Sequence, residues 1–231
     1  MAHPPGVPAA ALPRPHAIPK PPFRLLRSIE KKFYRRWFKK GDFSGDWVTA
    51  HIPIWTRVLH GWRTLPVRVL EIGSWEGRSA TFFLRYLPHA RIVCIDTFAG
   101  GSDQTSHIDL MDKVALIEGR FDRNLAPFLS RVEKIKSASH PALNSLFDAG
   151  QRFELAYIDG SHTAADVMTD SVGVWPLVAP GGVVIWDDYE WGPDEPADQR
   201  PQPAIDRFLA EHKGQYRQLW RGYQMIVEKL A

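Results

Sequence analysis

The chain has 231 residues, of which 44% are hydrophobic, so it is long enough to bury one substantial core. Its formal net charge of +3 is unevenly distributed, because no acidic residue precedes Glu30 while residues 23–40 are dense in arginine and lysine. The remainder is mildly acidic, which argues against a dedicated nucleic-acid-binding protein.

The cysteine content and the hydropathy indicate a soluble protein of a reducing compartment. Cys94 is the only cysteine, which excludes an intramolecular disulfide and any CxxC metal or redox motif. No apolar run approaches the length that crosses a bilayer, and the first residues lack the apolar region of a signal peptide. We therefore expect a cytoplasmic protein.

The amino-terminal part is predicted to contain a tail and two helices. Residues 1–22 are rich in proline and alanine, so we expect them to be disordered or extended. Apolar residues then recur with helical spacing at Phe23, Leu26, Ile29, Phe33, Tyr34, Trp37 and Phe38. The opposite face is basic, and two roles for residues 23–40 stay open: docking on the globular domain, or weak contact with an anionic membrane or partner surface. TAHIPIWTRVLHGW predicts another helix, which completes a helical segment over residues 23–65.

Strand-like and helix-like segments alternate from residue 66 to the end. The predicted strands are VRVLEI, RIVCID, VEKIK, FELAYID and GGVVIWDD, with helical segments between them. Their apolar runs have no polar alternate face, which indicates a parallel α/β sheet covered on both sides. A helix in PAIDRFLAEHKG precedes a terminal hairpin of YRQLW and YQMIVEKL, so one of the last two strands must run antiparallel.

Polar residues stand at the carboxyl ends of the predicted strands. They are Glu71 with Gly73, then Asp96, Ser137 with Ser139, Asp159, and Asp187 with Asp188. An open parallel sheet binds its ligand outside these ends. One such residue is ordinary turn chemistry, whereas a whole set at one edge indicates a binding site.

The loop EIGSWEGRS lacks the known nucleotide-binding glycine patterns. Gly73 and Gly77 allow a ligand to approach the backbone and the start of the next helix, although a simple tight turn is the alternative. The spacing is neither GxGxxG nor a P-loop. Asp96 follows about 20 residues later, where an acid accepts hydrogen bonds from a ribose diol or caps a turn.

The stretches VLEIGSWEGRS, VCIDTF and AYIDGSH…PGGVVIWDDY together resemble the class I S-adenosylmethionine-dependent methyltransferases. Among these, the chain is most similar to bacterial metal-dependent small-molecule and sugar O-methyltransferases, which are related to catechol O-methyltransferases. The resemblance implies a doubly wound, Rossmann-like sheet of seven strands, mostly parallel with an antiparallel last strand. It also implies that residues 66–231 form the methyltransferase domain.

The same resemblance assigns residues to S-adenosylmethionine as cofactor. It implies Glu71 and Gly73 beside the methionine part, Trp75, Gly77 and Ser79 in the same loop, Asp96 at the ribose, and Ser139 and His140 at the adenine. For His140, a surface position at a helix start is the alternative.

Asp159, Asp187 and Asp188 are the expected metal ligands. Carboxylates that meet at one edge repel each other unless one is protonated or a cation lies between them. Hard oxygen ligands suit Mg²⁺ or another divalent cation, and in the metal-dependent relatives the matching positions bind one. The alternative is that Asp159 belongs to a turn and the aspartate pair caps the following loop.

His162 is the candidate general base. An attacking hydroxyl must lose its proton, and a histidine within hydrogen-bond reach can accept a proton near neutral pH. Related catechol enzymes carry a lysine at the matching position, and sugar enzymes often carry an acid one residue earlier, where this chain has Ser161. Capping the next helix or orienting Asp159 are the alternative roles of His162.

The expected function is methyl transfer from S-adenosylmethionine to a hydroxyl of a small-molecule acceptor, such as a sugar or glycosylated metabolite, with a divalent cation. The alternatives are a metal-independent methyltransferase, a nicotinamide-dependent oxidoreductase and a non-enzymatic adaptor. The acceptor pocket is expected to form from residues 100–112, residues 188–203 and the amino-terminal helices. No nucleic acid is expected as a partner, and homo-oligomerisation stays open.

Overall fold

A computed structural model describes residues 12–13, 24–100 and 108–230. The described residues contain seven α-helices: α1 (Arg24–Arg35), α2 (Ile52–Val58), α3 (Arg78–Tyr86), α4 (Ile108–Leu125), α5 (Ser139–Asp148), α6 (Ala164–Val174) and α7 (Pro201–Glu211). They also contain seven strands: β1 (Arg68–Ile72), β2 (Arg91–Asp96), β3 (Val132–Lys136), β4 (Phe153–Ile158), β5 (Val178–Trp186), β6 (Tyr216–Arg221) and β7 (Met225–Lys229). Short 3₁₀ helices are Arg36–Phe38, His60–Trp62, Ala126–Arg131, Trp175–Leu177 and Ala197–Gln199. Apart from Leu12 and Pro13, the predicted tail of residues 1–22 lies outside the described residues.

Local sequence signals account for several helix boundaries. The hydroxyl of Thr163 accepts a hydrogen bond from the backbone N–H of Asp166 and so caps α6. Gly150, with a φ of +68°, follows α5 in the left-handed conformation that commonly ends a helix. Pro201 is the first residue of α7, a position where the missing N–H has no cost.

The seven strands form one sheet in the order β3-β2-β1-β4-β5-β7-β6. The first five strands in this order are parallel, and β7 runs antiparallel to both β5 and β6. The predicted fold class, a mostly parallel doubly wound sheet with an antiparallel last strand, is therefore confirmed.

The register of the parallel strands brings their carboxyl ends to one level. Ile72 in β1 pairs with Ile95 in β2 and with Ile158 in β4, and Ile158 pairs with Trp186 in β5. The residues that follow this row consequently emerge side by side at one edge. This alignment brings residues distant in sequence into one region.

Helices cover both faces of the sheet. Alternate strand residues such as Val69 and Tyr157 pack on one face with α2, α3 and α4. The residues between them, such as Leu70 and Ala156, pack on the other face with α5, α6 and α7. The continuous apolar runs of β1, β2, β4 and β5 are thus explained, because these strands are largely buried on both sides, whereas the edge strand β3 is half-buried or exposed along its length.

The segment before β1 contributes fully buried side chains to the first of these cores. Trp55 of α2 packs against Phe83 and Tyr157, with ring centroids 5.0 and 5.3 Å apart. In α1, by contrast, Ile29 and Phe33 are 59% and 54% exposed. Only part of the apolar side predicted for residues 23–40 therefore contacts the core, and membrane contact by this segment stays a prediction. None of the described helices has both the length and the apolar character needed to span a membrane.

Candidate active site

A cavity of about 1160 Å³ opens at the carboxyl edge of the sheet. Ten of the residues predicted for the site line it: Gly73, Trp75, Ser79, Asp96, Ser139, His140, Asp159, His162, Asp187 and Asp188. Glu71 and Gly77 were also predicted, but they are not part of its wall. The cavity is slightly larger than the usual range for ligand pockets, roughly 300–1,000 Å³, so it has room for a nucleotide-sized molecule and a second ligand.

At Gly73, the loop after β1 passes directly against the loop after β4. Its φ is +78°, and a Cβ atom at this position would lie 1.9 Å from the carbonyl oxygen of Asp159. Only glycine allows this approach. Gly77 also has a positive φ, but a Cβ there would meet Leu125 and Phe121 at 3.2 Å. Gly77 therefore allows α4 to pack closely and lies away from the cavity.

Asp96 connects the loops after β1 and β2. Its Oδ2 accepts a hydrogen bond of 2.7 Å from the backbone N–H of Trp75, and its Oδ1 accepts one of 2.6 Å from that of Phe98. Burial raises the pKa of Asp96, and these backbone hydrogen bonds act in the opposite direction. Each carboxylate oxygen can accept a further hydrogen bond, so the side chain keeps capacity for a ligand.

Glu71 lies beneath the cavity and is fully buried beside Cys94, whose Sγ lies 3.5 Å from Glu71 Oε2. Burial raises the pKa of Glu71 to about 7. Glu71 belongs to β1 itself, one residue before the strand ends, so the helices over this face cover it. Ser139 and His140, at the start of α5, do line the cavity, and Nε2 of His140 is 3.4 Å from the amide nitrogen of Asn144.

Tyr157 links two of the three predicted metal ligands. Its hydroxyl lies 2.9 Å from Oδ2 of Asp159 and also within hydrogen-bond distance of Oδ2 of Asp187. A single hydroxyl proton cannot satisfy two carboxylates at once. Burial, followed by repulsion from Asp187 and Asp188, raises the pKa of Asp159 well above its usual range, and burial also raises that of Asp187. Burial and mutual repulsion therefore favour the protonated form of these two carboxyl groups.

Asp188 contacts the histidine instead. Its Oδ2 lies 2.9 Å from Nε2 of His162, and its backbone has a φ of +54°, an unfavourable conformation for a residue with a side chain. Burial acts to raise the pKa of Asp188, but hydrogen bonds from His162 and Tyr223 outweigh it and the pKa is lowered. The imidazole of His162 stacks on Trp191, with ring centroids 4.3 Å apart and planes 13° apart.

The contacts of His162 bear on its two alternative roles, capping α6 and orienting Asp159. The cap of α6 is the hydroxyl of Thr163, so His162 does not cap this helix. The carboxylate of Asp188 lies within hydrogen-bond distance of its Nε2, and the role of orienting Asp159 stays open.

Sequence reasoning missed several residues of this region. Tyr223 and Gln224 lie in the turn between β6 and β7, and both line the cavity together with His51. Gln224 accepts a hydrogen bond of 2.8 Å from the indole N–H of Trp55. Tyr157 could have been found, because residues two apart on a strand share a face and Tyr157 precedes Asp159 by two. Tyr189 is buried, with its hydroxyl bound to Asp206, so it packs and does not line the cavity.

Carboxylates are suitable ligands for a hard cation, but these side chains do not form a preformed coordination site. Within the described ranges, no three His, Cys, Asp or Glu side chains are disposed as a metal-ligand group. Asp159 and Asp187 nevertheless bring carboxyl oxygens together around the Tyr157 hydroxyl, and carboxylate oxygen is the donor type that Mg²⁺ prefers. Residues 101–107, which belong to the predicted acceptor loop, lie outside the described residues.

The family comparison agrees with this arrangement. A family profile described as "Methyltransferase domain" matches residues 70–189, which is 120 of the 231 residues. The chain therefore belongs to the methyltransferase-domain family, as the sequence motifs predict.

Individual relatives add detail. The chain is 29% identical over 149 residues to the mycinamicin VI 2''-O-methyltransferase of Micromonospora griseorubida, and the match covers 62% of this chain and 31% of that protein. The fold resembles that of the MycE methyltransferase of the mycinamycin biosynthetic pathway, in complex with Mg, SAH and mycinamycin VI, with a TM-score of 0.60 and 20% identity. That alignment covers 87% of this chain and 54% of MycE. It also resembles TomG of Streptomyces achromogenes in complex with SAM, with a TM-score of 0.56, 18% identity and coverage of 93% and 92%. This chain thus spans about half or less of the mycinamicin relatives that it matches.

Proposed function

We propose that this chain transfers a methyl group from S-adenosylmethionine to a hydroxyl of a small-molecule acceptor, and that a divalent cation such as Mg²⁺ takes part. The observation that supports this most directly is that Asp159, Asp187, Asp188 and His162 face the same cavity as the glycine loop and Asp96. The mycinamicin relative is named as an O-methyltransferase, and the MycE structure that this chain resembles contains Mg and SAH. Both observations also support the proposal. By the same analogy, the acceptor is a sugar or a glycosylated metabolite.

The cofactor is assigned along the strand ends. Gly73, Trp75 and Ser79 would hold its methionine part, Asp96 would accept hydrogen bonds from the ribose hydroxyls, and Ser139 and His140 would border the adenine. Glu71 supports this wall from beneath, because its side chain is buried under the loop. When bound, S-adenosylmethionine supplies a methyl group activated by its sulfonium.

His162 accepts the proton of the acceptor hydroxyl. The tautomer that donates Nε2–H to Asp188 leaves the lone pair on Nδ1, and this atom then takes the proton. The carboxylate of Asp188 stabilises the imidazolium that forms, and stacking on Trp191 fixes the plane of the ring. Asp159 and Asp187, with Asp188, would hold the cation, which would lower the pKa of the acceptor hydroxyl when bound.

A metal-independent methyltransferase is the second candidate. It is favoured by the lack of a ready three-ligand group among the described residues and by the hydrogen bonds that Tyr157 makes with Asp159 and Asp187. In that case the residues act by positioning the acceptor. The methyltransferase family match argues against the nicotinamide-dependent alternative.

Titration calorimetry of the full chain tests the proposal, first with S-adenosylhomocysteine and then with Mg²⁺. We expect binding of both, with Mg²⁺ affinity at least about ten-fold weaker in Asp159→Asn and Asp187→Asn, because each removes an ionised oxygen ligand. Asp148→Asn, which removes an exposed acid at the end of α5, is the matched control and should bind Mg²⁺ like the parent chain.

The outcomes separate the candidates. If S-adenosylhomocysteine binds but Mg²⁺ gives no heat, the metal-independent candidate replaces the metal-dependent one. If S-adenosylhomocysteine does not bind, methyl transfer from S-adenosylmethionine is refuted for both.

A further inference from the structure

Asp170, on α6, is a buried acid that lines the cavity and that the proposed chemistry does not use. It is only 3% exposed. A Cβ atom at Gly160 would lie 3.3 Å from Oδ2 of Asp170, so this carboxylate lies directly beneath the loop that follows β4. It therefore faces the cavity from the side of the sheet that α5 and α6 cover.

One oxygen of Asp170 has no donor among the described residues. This atom, Oδ1, is buried, and none of those residues hydrogen-bonds it. Burial raises the pKa of Asp170 to about 6, while the hydroxyl of Ser139 and the charge of His140 act in the opposite direction. A buried carboxylate oxygen without a donor is costly. A ligand with an N–H group in the cavity would remove this cost.

Glu71 offers a useful contrast. Its Oε1 is also buried without a partner among the described residues, but Glu71 is not part of the cavity wall. No ligand in the cavity can contact it directly. Asp170 differs because it lines the cavity, and its carboxyl group interacts with the two residues assigned to the adenine, Ser139 and His140.

The position of Asp170 selects one part of the cofactor. The ribose is assigned to Asp96 and the methionine part to the loop after β1, which leaves the base for the region of α5 and α6. Adenine carries an exocyclic amine with two N–H donors, and a carboxylate accepts from such a group. A base with a carbonyl at the same position would place two acceptors against each other.

We propose that Asp170 accepts a hydrogen bond from the exocyclic amine of the cofactor's adenine and so selects adenine over bases that carry a carbonyl there. This inference rests on the proposed function, because it takes S-adenosylmethionine as the cofactor. Asp170 is then a specificity-determining residue that lies outside the loops where the sequence motifs occur.

Calorimetry of the full chain with two ligands tests the inference. S-adenosylhomocysteine carries the amine, and S-inosylhomocysteine carries a carbonyl in its place. We expect the parent chain to bind the first about ten- to 100-fold more tightly, the range for a hydrogen bond to a charged group. In Asp170→Asn the preference should fall to within about three-fold, because an amide can either accept or donate. Asp148→Asn, an exposed acid at the end of α5, is the matched control and should keep the full preference.

Each result has one meaning. If the parent chain binds neither ligand, the proposed function fails and this inference fails with it. If the parent chain binds both equally, or if Asp170→Asn keeps the preference, the inference is overturned while the proposed function stands. Should Asp170→Asn fail to fold, Asp170→Ser provides the same comparison, and S-nebularylhomocysteine, whose purine has neither amine nor carbonyl, should bind the parent chain about ten-fold more weakly than S-adenosylhomocysteine. Equal binding of that ligand would likewise overturn the inference.

Discussion

At Gly73, the loop after β1 passes so close to the loop after β4 that a side chain has no room. The obstacle is backbone, the carbonyl oxygen of Asp159, so a neighbouring side chain cannot simply rotate away. Gly150 has a similar positive φ of +68°, but a Cβ atom there would meet nothing within 4 Å. A substitution at Gly150 therefore has only the cost of the backbone conformation, whereas one at Gly73 has the cost of a steric clash in addition.

We expect Gly73→Ala to lower the free energy of unfolding by about 3 kcal/mol or more, because it combines an unfavourable φ with the clash. Gly150→Ala should cost only about 1–2 kcal/mol, the cost of the left-handed conformation. Urea denaturation measures both values. Equal losses in the two variants would show that the contact between the two loops is not tight in solution.

The strand-end residues show what the sequence can predict at the scale of single side chains. Asp96, Asp159 and Asp187 follow strands whose register is level, so reasoning from strand ends alone brings them to one cavity. Glu71 was assigned to the same wall, but it lies within β1, one residue before the strand ends, and is not part of the cavity wall. Its burial depends on how the helices cover β1, and no local sequence signal reports that.

At the scale of elements, Arg78 at the start of α3 anchors the loop of residues 41–51, which forms part of the cavity wall. Its guanidinium lies 2.9 Å from Oδ1 of Asp46 and donates a hydrogen bond of 3.0 Å to the carbonyl of Gly45. It also lies over the ring of Phe38, 4.4 Å from the centroid. One planar cation thus makes polar contacts at its edge and an apolar contact on its face.

Arg78→Lys keeps the charge but loses the planar fork, so we expect the free energy of unfolding to fall by about 1–2 kcal/mol. Hydrogen exchange of the backbone amides in residues 42–51 should become faster. Arg85→Lys, on the exposed side of the same helix, should change the stability by less than about 0.5 kcal/mol. If the two variants behave alike, Arg78 does not anchor the loop.

The elements were predicted more completely than their mutual positions. The sequence indicates the β6–β7 hairpin, because two strand-like runs meet at Arg221 and Gly222. It does not indicate that Met225 pairs with Trp186, which brings the turn next to the aspartates. Tyr223 and Gln224 therefore could not be assigned to the site, since that pairing is a long-range contact. Similarly, helical spacing predicted one apolar side for α1 but not that Ile29 and Phe33 would stay exposed.

At the scale of the whole molecule, buried acids with raised pKa values make folding stability depend on pH, and Glu71 and Asp170 are two of them. Burial raises the pKa of Glu71 from 4.5 to about 7 and that of Asp170 from 3.8 to about 6. Between the unfolded and folded pKa values, the unfolded chain has released a proton that the folded chain retains. Raising the pH through this window therefore favours unfolding, and the loss is complete above the folded pKa.

Glu71→Gln should remove the contribution that Glu71 makes to this pH dependence. Between about pH 5 and pH 8, we expect the free energy of unfolding of the parent chain to fall relative to the variant by roughly 2–3 kcal/mol. Urea denaturation at several pH values measures the slope, and a constant offset from the amide does not affect it. Glu211→Gln, an exposed acid at the end of α7, should follow the parent chain. Parallel curves for the parent chain and Glu71→Gln would contradict a raised pKa.

The buried thiol beside Glu71 has a practical consequence. Cys94 is the sole cysteine of the chain, it has no solvent exposure, and burial raises its pKa well above the ordinary value. The thiolate is the nucleophile that attacks an alkylating reagent, so modification needs both its deprotonation and access of the reagent. The rate at which Cys94 is modified in the unmutated chain consequently reports how often the centre of the sheet opens, and no cysteine has to be introduced for the measurement.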